Sequence, residues 1–358
     1  SVKCLMAVTA SSAEALVNAI TQAYIFSANT ANVNTGSVNT ENAQYTGVIG
    51  WLVTVAQTYG SSPRPAGSMM FWSKRTGVIG SVSGGCIEED ILHKIREGVI
   101  HSHKISWLTY GGQAPDLERF NLPCGGQLKV IVEPLKNTTI EKNKWQALND
   151  ALNKREGIMR KLRIDTGQWS WVLSNAFALT LNNDELRLYA GPIRKLLIVG
   201  ANPTALYLAQ FAGALDFKVT VCDPGEDASS DWLQAPHCQF IKAYPDGFVA
   251  KDFGDKASAV VAVSHDPRID DMALLEALPG EAFYVGAMGS QVTSQKRRDR
   301  LTLLGLAEPD LHKLHAPIGL DIGSKTPSEI AMSIAAHLVS EYNLAFKQRP
   351  TSVVPEPC

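Results

Sequence analysis

The sequence predicts an α/β protein of two domains, an N-terminal α/β domain and a C-terminal Rossmann-type domain built on a parallel sheet. Three observations carry this prediction. The chain has 358 residues, and domains hold roughly 150 residues each. From Lys195 onward, short apolar runs alternate with helical patterns, the order expected of βαβ units. The first of these runs ends at Gly200, and the next ends at Asp223, in a variant of a dinucleotide-binding turn. The expected division is 1–192 and 193–345, with 29–46 as a flexible insert and 346–358 as a disordered tail.

Composition narrows the classes. Hydrophobic residues make up 45% and charged residues 19%, as in soluble proteins with real cores. The net charge of -2 shows no basic excess, which argues against nucleic acid as a partner. No run approaches the ~18 apolar residues of a membrane span, so no membrane role is expected. The cysteines are Cys4, Cys86, Cys124, Cys222, Cys238 and Cys358, with no C-x-x-C pair. They are too sparse for a disulfide framework, and a reducing cytoplasm is the expected setting. His101 and His103 read as a solvated pair rather than a metal site.

In chain order, residues 11–27 place Leu16, Ala19, Ile20 and Ala23 at helical spacing, with Ser11 or Ser12 as cap. Residues 29–45 have no periodicity and read as a loop or disordered insert. Residues 47–57 form a strand. Residues 69–72 and the turn at Thr76-Gly77 form a hairpin. A helix follows Cys86 through Ile91 and Ile95, with Glu88, Glu89 and Asp90 at its start. Strands are expected at 104–110 and 128–134, and a helix at 142–155. Runs at 158–164, 169–173 and 186–189 read as the rest of the same sheet, with Trp169 and Trp171 packing on one face. In the second domain, strands 195–199, 218–222, 259–263 and 282–285 alternate with helices. Thr326, Pro327 and Glu329 begin the last helix as cap, first-turn proline and capping-box acid.

Candidate site residues lie in the turns. Pro63 and Pro65 stiffen a loop that carries Ser62 and Arg64. Ser83, Gly84 and Gly85 are expected to aim backbone N–H groups at an anion from a helix N-terminus. Cys86 would fall in the first turn, where the macrodipole favours thiolate. The neighbouring acids are then expected to point away. A tight turn with a buried cysteine is the competing reading. Cys124, in a second Cys-Gly-Gly segment, either faces the first loop across a cleft or lies buried in a turn. In the second domain Gly200 and Ala205 fit the dinucleotide fingerprint, and Asp223 stands where a ribose-binding acid belongs. Asn202 replaces the second glycine and obstructs the pyrophosphate, which disfavours NAD(P). Gly286, Gly289 and Ser290 form a glycine loop at a strand's carboxyl end. The run Lys296, Arg297, Arg298 and Arg300 behind it reads as a solvated face or a phosphate contact. His315 and Asp321 sit in a restricted loop, to orient a ligand or to brace the loop.

Two long stretches resemble a known family. The loop S-S-P-R-P-A-G with G-S-V-S-G-G-C-I-E is similar to the N-terminal signature of the XdhC/CoxI family. The segments 283–290, 296–298 and 314–323, and the tract 326–334, resemble that family's Rossmann domain. Together the likeness covers about residues 47 to 342. It implies an accessory protein without turnover that binds the molybdenum cofactor (molybdopterin), protects it during sulfuration and delivers it to an apo molybdenum hydroxylase such as xanthine dehydrogenase. A cysteine desulfurase is an implied second partner. It also implies a Cys-Gly-Gly segment at Cys124, and it is compatible with Cys86 as a soft ligand to the metal. A homodimer is expected because such a factor must present a surface to its partner, and the ligand is expected in a cleft between the domains. The rival readings are an NAD(P)-dependent oxidoreductase using the Gly200 turn, and a nucleotide-sensing or scaffolding module without chemistry.

Overall fold

The first half of the chain is built around one long strand whose side chains are buried on both faces. The computed structural model describes residues 13–31, 47–60, 64–85, 87–111, 126–174, 179–225 and 238–345, with backbone alone for 28–31. The chain clusters into two compact units that divide between Pro192 and Ile193.

In the first unit, helix α1 (Ala13–Ala31) precedes strand β1 (Val48–Tyr59). The helix runs three residues into the stretch expected as an insert; residues 32–46 lie outside the described set. Strands β2 (Met69–Ser73) and β3 (Gly77–Gly80) form the expected hairpin. Helix α2 (Glu88–Arg96), β4 (Ser106–Tyr110), β5 (Gln127–Lys136) and α3 (Thr139–Asn153) follow. The sheet order is β3-β2-β1-β5-β4 and every pairing is antiparallel. On β1, Trp51, Val53 and Val55 join one core with Ile91 and Ile95 of α2. Leu52 and Ala56 join the other, with Leu16 and Ile20 of α1 and Leu148 of α3. This strict alternation follows from the pleat. Gly50 is where β1 passes Trp72 so closely that a Cβ would strike the Trp72 carbonyl.

Strands β6 (Ile158–Arg163), β7 (Trp169–Leu173), β8 (Leu179–Leu181) and β9 (Glu185–Ala190) do not extend this sheet, contrary to the sequence reading. They make a separate antiparallel sheet, β7-β6-β9-β8. Ile158, Leu162, Trp169 and Leu186 of this sheet share the core of α1 and α3. The Arg160 guanidinium lies 4.6 Å from the Trp169 ring centre and 5.1 Å from that of Trp145, and pairs with buried Glu133. Trp169 is thus a packing residue, as its spacing indicates.

The second unit has the strand order of a dinucleotide-binding domain. Strands β10 (Lys195–Val199), β11 (Lys218–Cys222), β12 (Cys238–Ile241), β13 (Ser258–Ala262), β14 (Tyr284–Ala287) and β15 (Leu314–His315) form one sheet, β12-β11-β10-β13-β14-β15. All of its pairings are parallel. Helices α4 (Pro203–Ala214) and α9 (Pro327–Ala345) cover one face, through Leu208, Ile334 and Leu338. Helices α5 (Val249–Phe253), α6 (Pro267–Ala277), α7 (Gln291–Leu303) and α8 (Glu308–Leu311) lie on the other, through Phe253, Leu274, Leu301 and Leu311.

Candidate functional site

Register alone brings three loops to one end of the five-stranded sheet. Thr54 pairs with Met69 and Met70 with Gly80, so the Arg64 loop and the Ser81–Ile87 loop leave the sheet together. Tyr59 pairs with Gln127, and Tyr110 with Leu128, which puts the ends of the 111–126 connection there too. A Cβ on Gly60 would lie 3.4 Å from the Gly126 Cα. Arg64 is half-buried, on a loop pinned to β1 by the Gly67 amide, 2.8 Å from the Val55 carbonyl. Ser62, Cys86 and Cys124 lie outside the described residues.

The glycine loop already holds an anion, and it is the chain's own. Glu88 Oε1 accepts from Ser81 Oγ at 2.7 Å, the Val82 amide at 3.0 Å and the Ser83 amide at 2.9 Å. Oε2 accepts from Ser83 Oγ, from the Gly85 amide at 3.1 Å and from the Ile87 amide at 3.2 Å. The Gly84 amide donates to Ser81 Oγ at 2.8 Å. Successive amides can converge in this way because Gly84 and Gly85 take φ of 82° and 116°. The expectation that Ser83, Gly84 and Gly85 present these amides to a ligand is therefore corrected, as is the expectation that Glu88 points away. Burial opposes the Glu88 charge, but the hydrogen bonds from Ser83 and Ser81 prevail and hold the carboxyl down at about 2. The S-x-x-x-x-E spacing is visible in the sequence, but spacing alone reads as dipole matching. Asp90 also turns inward, to Lys94 at 2.6 Å and the Tyr110 hydroxyl at 2.7 Å.

In the second unit the carboxyl ends of the strands are braced by side chains. The Asn202 Oδ1 accepts from the Ala205 amide at 3.0 Å and caps α4, while its Nδ2 donates to the Val263 carbonyl at 2.6 Å. Asp223 accepts from the Ala201 amide and the Gly225 amide, both at 2.7 Å. Gly200, at φ 105°, approaches Ser264 so closely that a Cβ would lie 2.6 Å from its Cα. The three residues read as nucleotide contacts thus have structural work within the fold. Gly286 lies inside β14, not in a loop, and a Cβ there would strike Ile318 at 2.7 Å. Gly289 precedes Ser290, whose hydroxyl caps α7 by accepting from the Thr293 amide.

The three arginines of the run are engaged within the fold. Arg297, 2% exposed, donates to Asp270 and to the Met288 carbonyl, each at 2.9 Å. Arg300 forks onto Asp271, and Arg298 donates to the Leu311 and Leu314 carbonyls. Asp270 also accepts from the Ser264 amide at 3.1 Å, so one buried pair ties the turns after β13 and β14 together. Burial pushes the Asp270 carboxyl up to about 6, against the pull of Ser264 and Arg297. Lys296 is exposed.

His315 closes β15 rather than opening a loop. Its ring stacks on Tyr284 at 4.5 Å and 5°, and meets His337 edge-on at 4.8 Å. The Tyr284 hydroxyl lies 3.0 Å from His337 Nδ1, and His337 Nε2 is 3.5 Å from Glu341. Burial lowers the pKa of both histidines and raises that of Tyr284. Asp321 is exposed. Among the described residues, no group of three metal-ligating side chains is present, and no helix is long and apolar enough to cross a membrane. Cys222 is buried, which together with Asp223 pushes its thiol up to about 12.

Much of the chain resembles known proteins. The model described as the XdhC and CoxI family matches residues 44–111, and the XdhC Rossmann domain model matches residues 196–338. A Bacillus subtilis (strain 168) protein, named as a probable xanthine dehydrogenase subunit, is 25% identical over 316 residues, 80% of this chain and 92% of its own. The Escherichia coli (strain K12) protein named molybdenum cofactor insertion chaperone PaoD is 26% identical over 293 residues, 81% of this chain and 82% of its own. A crystal structure titled as a xanthine dehydrogenase from Bacillus halodurans shares the fold, with a TM-score of 0.64 at 23% identity over 86% of this chain and 94% of that one.

Proposed function

The chain belongs to the XdhC and CoxI family, and from that premise we propose that it is a molybdenum cofactor chaperone: it binds the cofactor, protects it and delivers it to an apo molybdenum hydroxylase such as xanthine dehydrogenase. The observation that carries this reading is the convergence of the Arg64 loop, the Ser81–Ile87 loop and the flanks of the Cys124 segment at one sheet end. The cargo combines a soft metal–sulfur centre with an anionic tail. Cys86 and Cys124 would offer sulfur to the metal, and Ser62 and Arg64 would pair with anionic groups. The Glu88 cradle would set the loop's shape and not bind the ligand. In the second unit, Gly289, Ser290 and the first turn of α7 would hold a phosphate, with His315 and Asp321 at the neighbouring strand end. A homodimer acting in the cytoplasm, with a cysteine desulfurase supplying sulfur, completes the reading. The oxidoreductase alternative is less supported, because Asn202 and Asp223 are both engaged in bracing the Gly200 turn.

The test is anaerobic binding of molybdenum cofactor to the purified chain, with NADH titrated in parallel. Saturable cofactor binding that falls in Cys86→Ser and in Arg64→Ala supports the chaperone. NADH binding in the micromolar range with no cofactor binding overturns it.

A further inference from the structure

A cavity lies on the α5 face of the parallel sheet and runs from Lys195 and Lys218 at the amino ends of β10 and β11 to Ile241 at the end of β12. It measures about 310 Å³, near the lower bound for small-molecule pockets. Its floor is formed by β11 and β12. Thr220 sits there, register partner of Leu197 on one side and of Gln239 on the other. Leu197 is fully buried apolar core, and Thr220, only 6% exposed, is a polar residue on the same face. The Thr220 hydroxyl has no hydrogen-bond partner among the described residues. Lining the cavity, this hydroxyl can donate to or accept from a group bound there. The wall is aromatic: Phe248 and Phe253 meet edge to face with ring centres 6.4 Å apart.

The rim carries charge. Lys195 and Lys218 are direct register partners on adjacent parallel strands, on one face. Like charges so placed repel. Lys195 stays at the cavity wall, donating to the Asp252 carbonyl at 3.1 Å with its ammonium 5.8 Å from the Phe253 ring centre, and Lys218 makes no ion pair among the described residues. Two lysines against the one acid of the lining, Asp252, leave the mouth net positive. An anionic group between the lysines would relieve their repulsion. A flat ring behind it would lie against Phe248 and Phe253, with a polar edge toward Thr220 and Gln239.

We propose that this cavity is a binding site for a small planar aromatic anion, held by Lys218 and Lys195 at the rim and by Thr220 on the floor. The site is independent of the cofactor-binding reading. Its test uses the full chain and naphthoate as probe, followed by ligand-observed saturation-transfer NMR, with neutral naphthalenemethanol as the comparator. Saturable naphthoate binding is expected, weakened about tenfold by Lys218→Glu and likewise by exchange of the carboxylate for the alcohol. Thr220→Val should weaken it severalfold. Lys218 is exposed, so the variant should keep the wild-type melting temperature; Lys218→Gln serves as the second variant should it not. Equal binding of acid and alcohol, equal binding by wild type and both Lys218 variants, or no saturation up to about 5 mM probe would overturn the proposal.

Discussion

Ser83 gives both its amide and its hydroxyl to the carboxylate of Glu88. With the amides of Val82, Gly85 and Ile87, this makes one acid the centre about which the glycine loop is folded. The loop's shape therefore depends on a charge that the chain itself supplies.

Replacing that acid by its amide tests the point. Glu88→Gln keeps the size but puts an NH2 against amide donors. It should cost about 2–3 kcal/mol, read as a lower urea midpoint with an unchanged slope. Amide exchange should quicken at Val82, Ser83, Gly85 and Ile87 and stay slow in β1. The pH response follows from the lowered carboxyl. Its contribution is full above the ordinary glutamate value and disappears as the pH falls toward about 2. Wild type should lose stability across that window, and Glu88→Gln should lose less.

The Gly200 turn can be tested by restoring a nucleotide fingerprint. Asn202→Gly removes the cap on Ala205 and the bond to Val263. A loss of about 1 kcal/mol is expected in thermal unfolding, a minor part from the cap, which glycine partly replaces, and most from the lost bond to Val263. NADH fluorescence titration should still show no micromolar binding, since Asp223 remains bonded to Ala201.

Arg297 and Asp270 form a pair that is costly to break on one side. Arg297→Met strands the Asp270 carboxylate in the core and should destabilise by about 3–5 kcal/mol. The double variant with Asp270→Asn keeps an acceptor for the Ser264 amide and should regain at least about half of that loss. Urea unfolding of the three proteins decides this.

The His315–Tyr284–His337 cluster makes a prediction in the acid range. Both histidines have pKa values lowered by burial. Their neutral forms thus contribute stability above the ordinary histidine value, and it is lost as the pH falls through the lowered folded values. Melting temperature should drop across that interval, and less steeply in His337→Phe.

Much of the architecture could be read from local pattern. The long apolar run of β1, the 69–80 hairpin and the strand–helix alternation after Lys195 each announce themselves within a dozen residues. The second sheet of the first unit was not legible, because strands of period two carry no mark of which partner they choose; shared burial of Trp169 with α3 decided it. The site was legible as a set of loops but not as a set of contacts. Glu88 beside a glycine turn looks like dipole matching until its side chain is seen folded back. Arg297 looks like a surface charge until Asp270, on another helix, is placed opposite it. Both depend on tertiary pairing, which spacing does not encode.

The strand order of the first sheet also bears on heredity. The stretch matched as XdhC and CoxI, 44–111, ends with β4, yet β4 reaches β1 only across β5, which lies beyond that stretch. Excised at residue 111, the piece would have its outermost strand stranded without a neighbour and two cores laid open. Because α3 and the second sheet share the core of α1, recombination or grafting in this region must carry everything through Ala190 as one indivisible inheritance, however short the recognisable signature is.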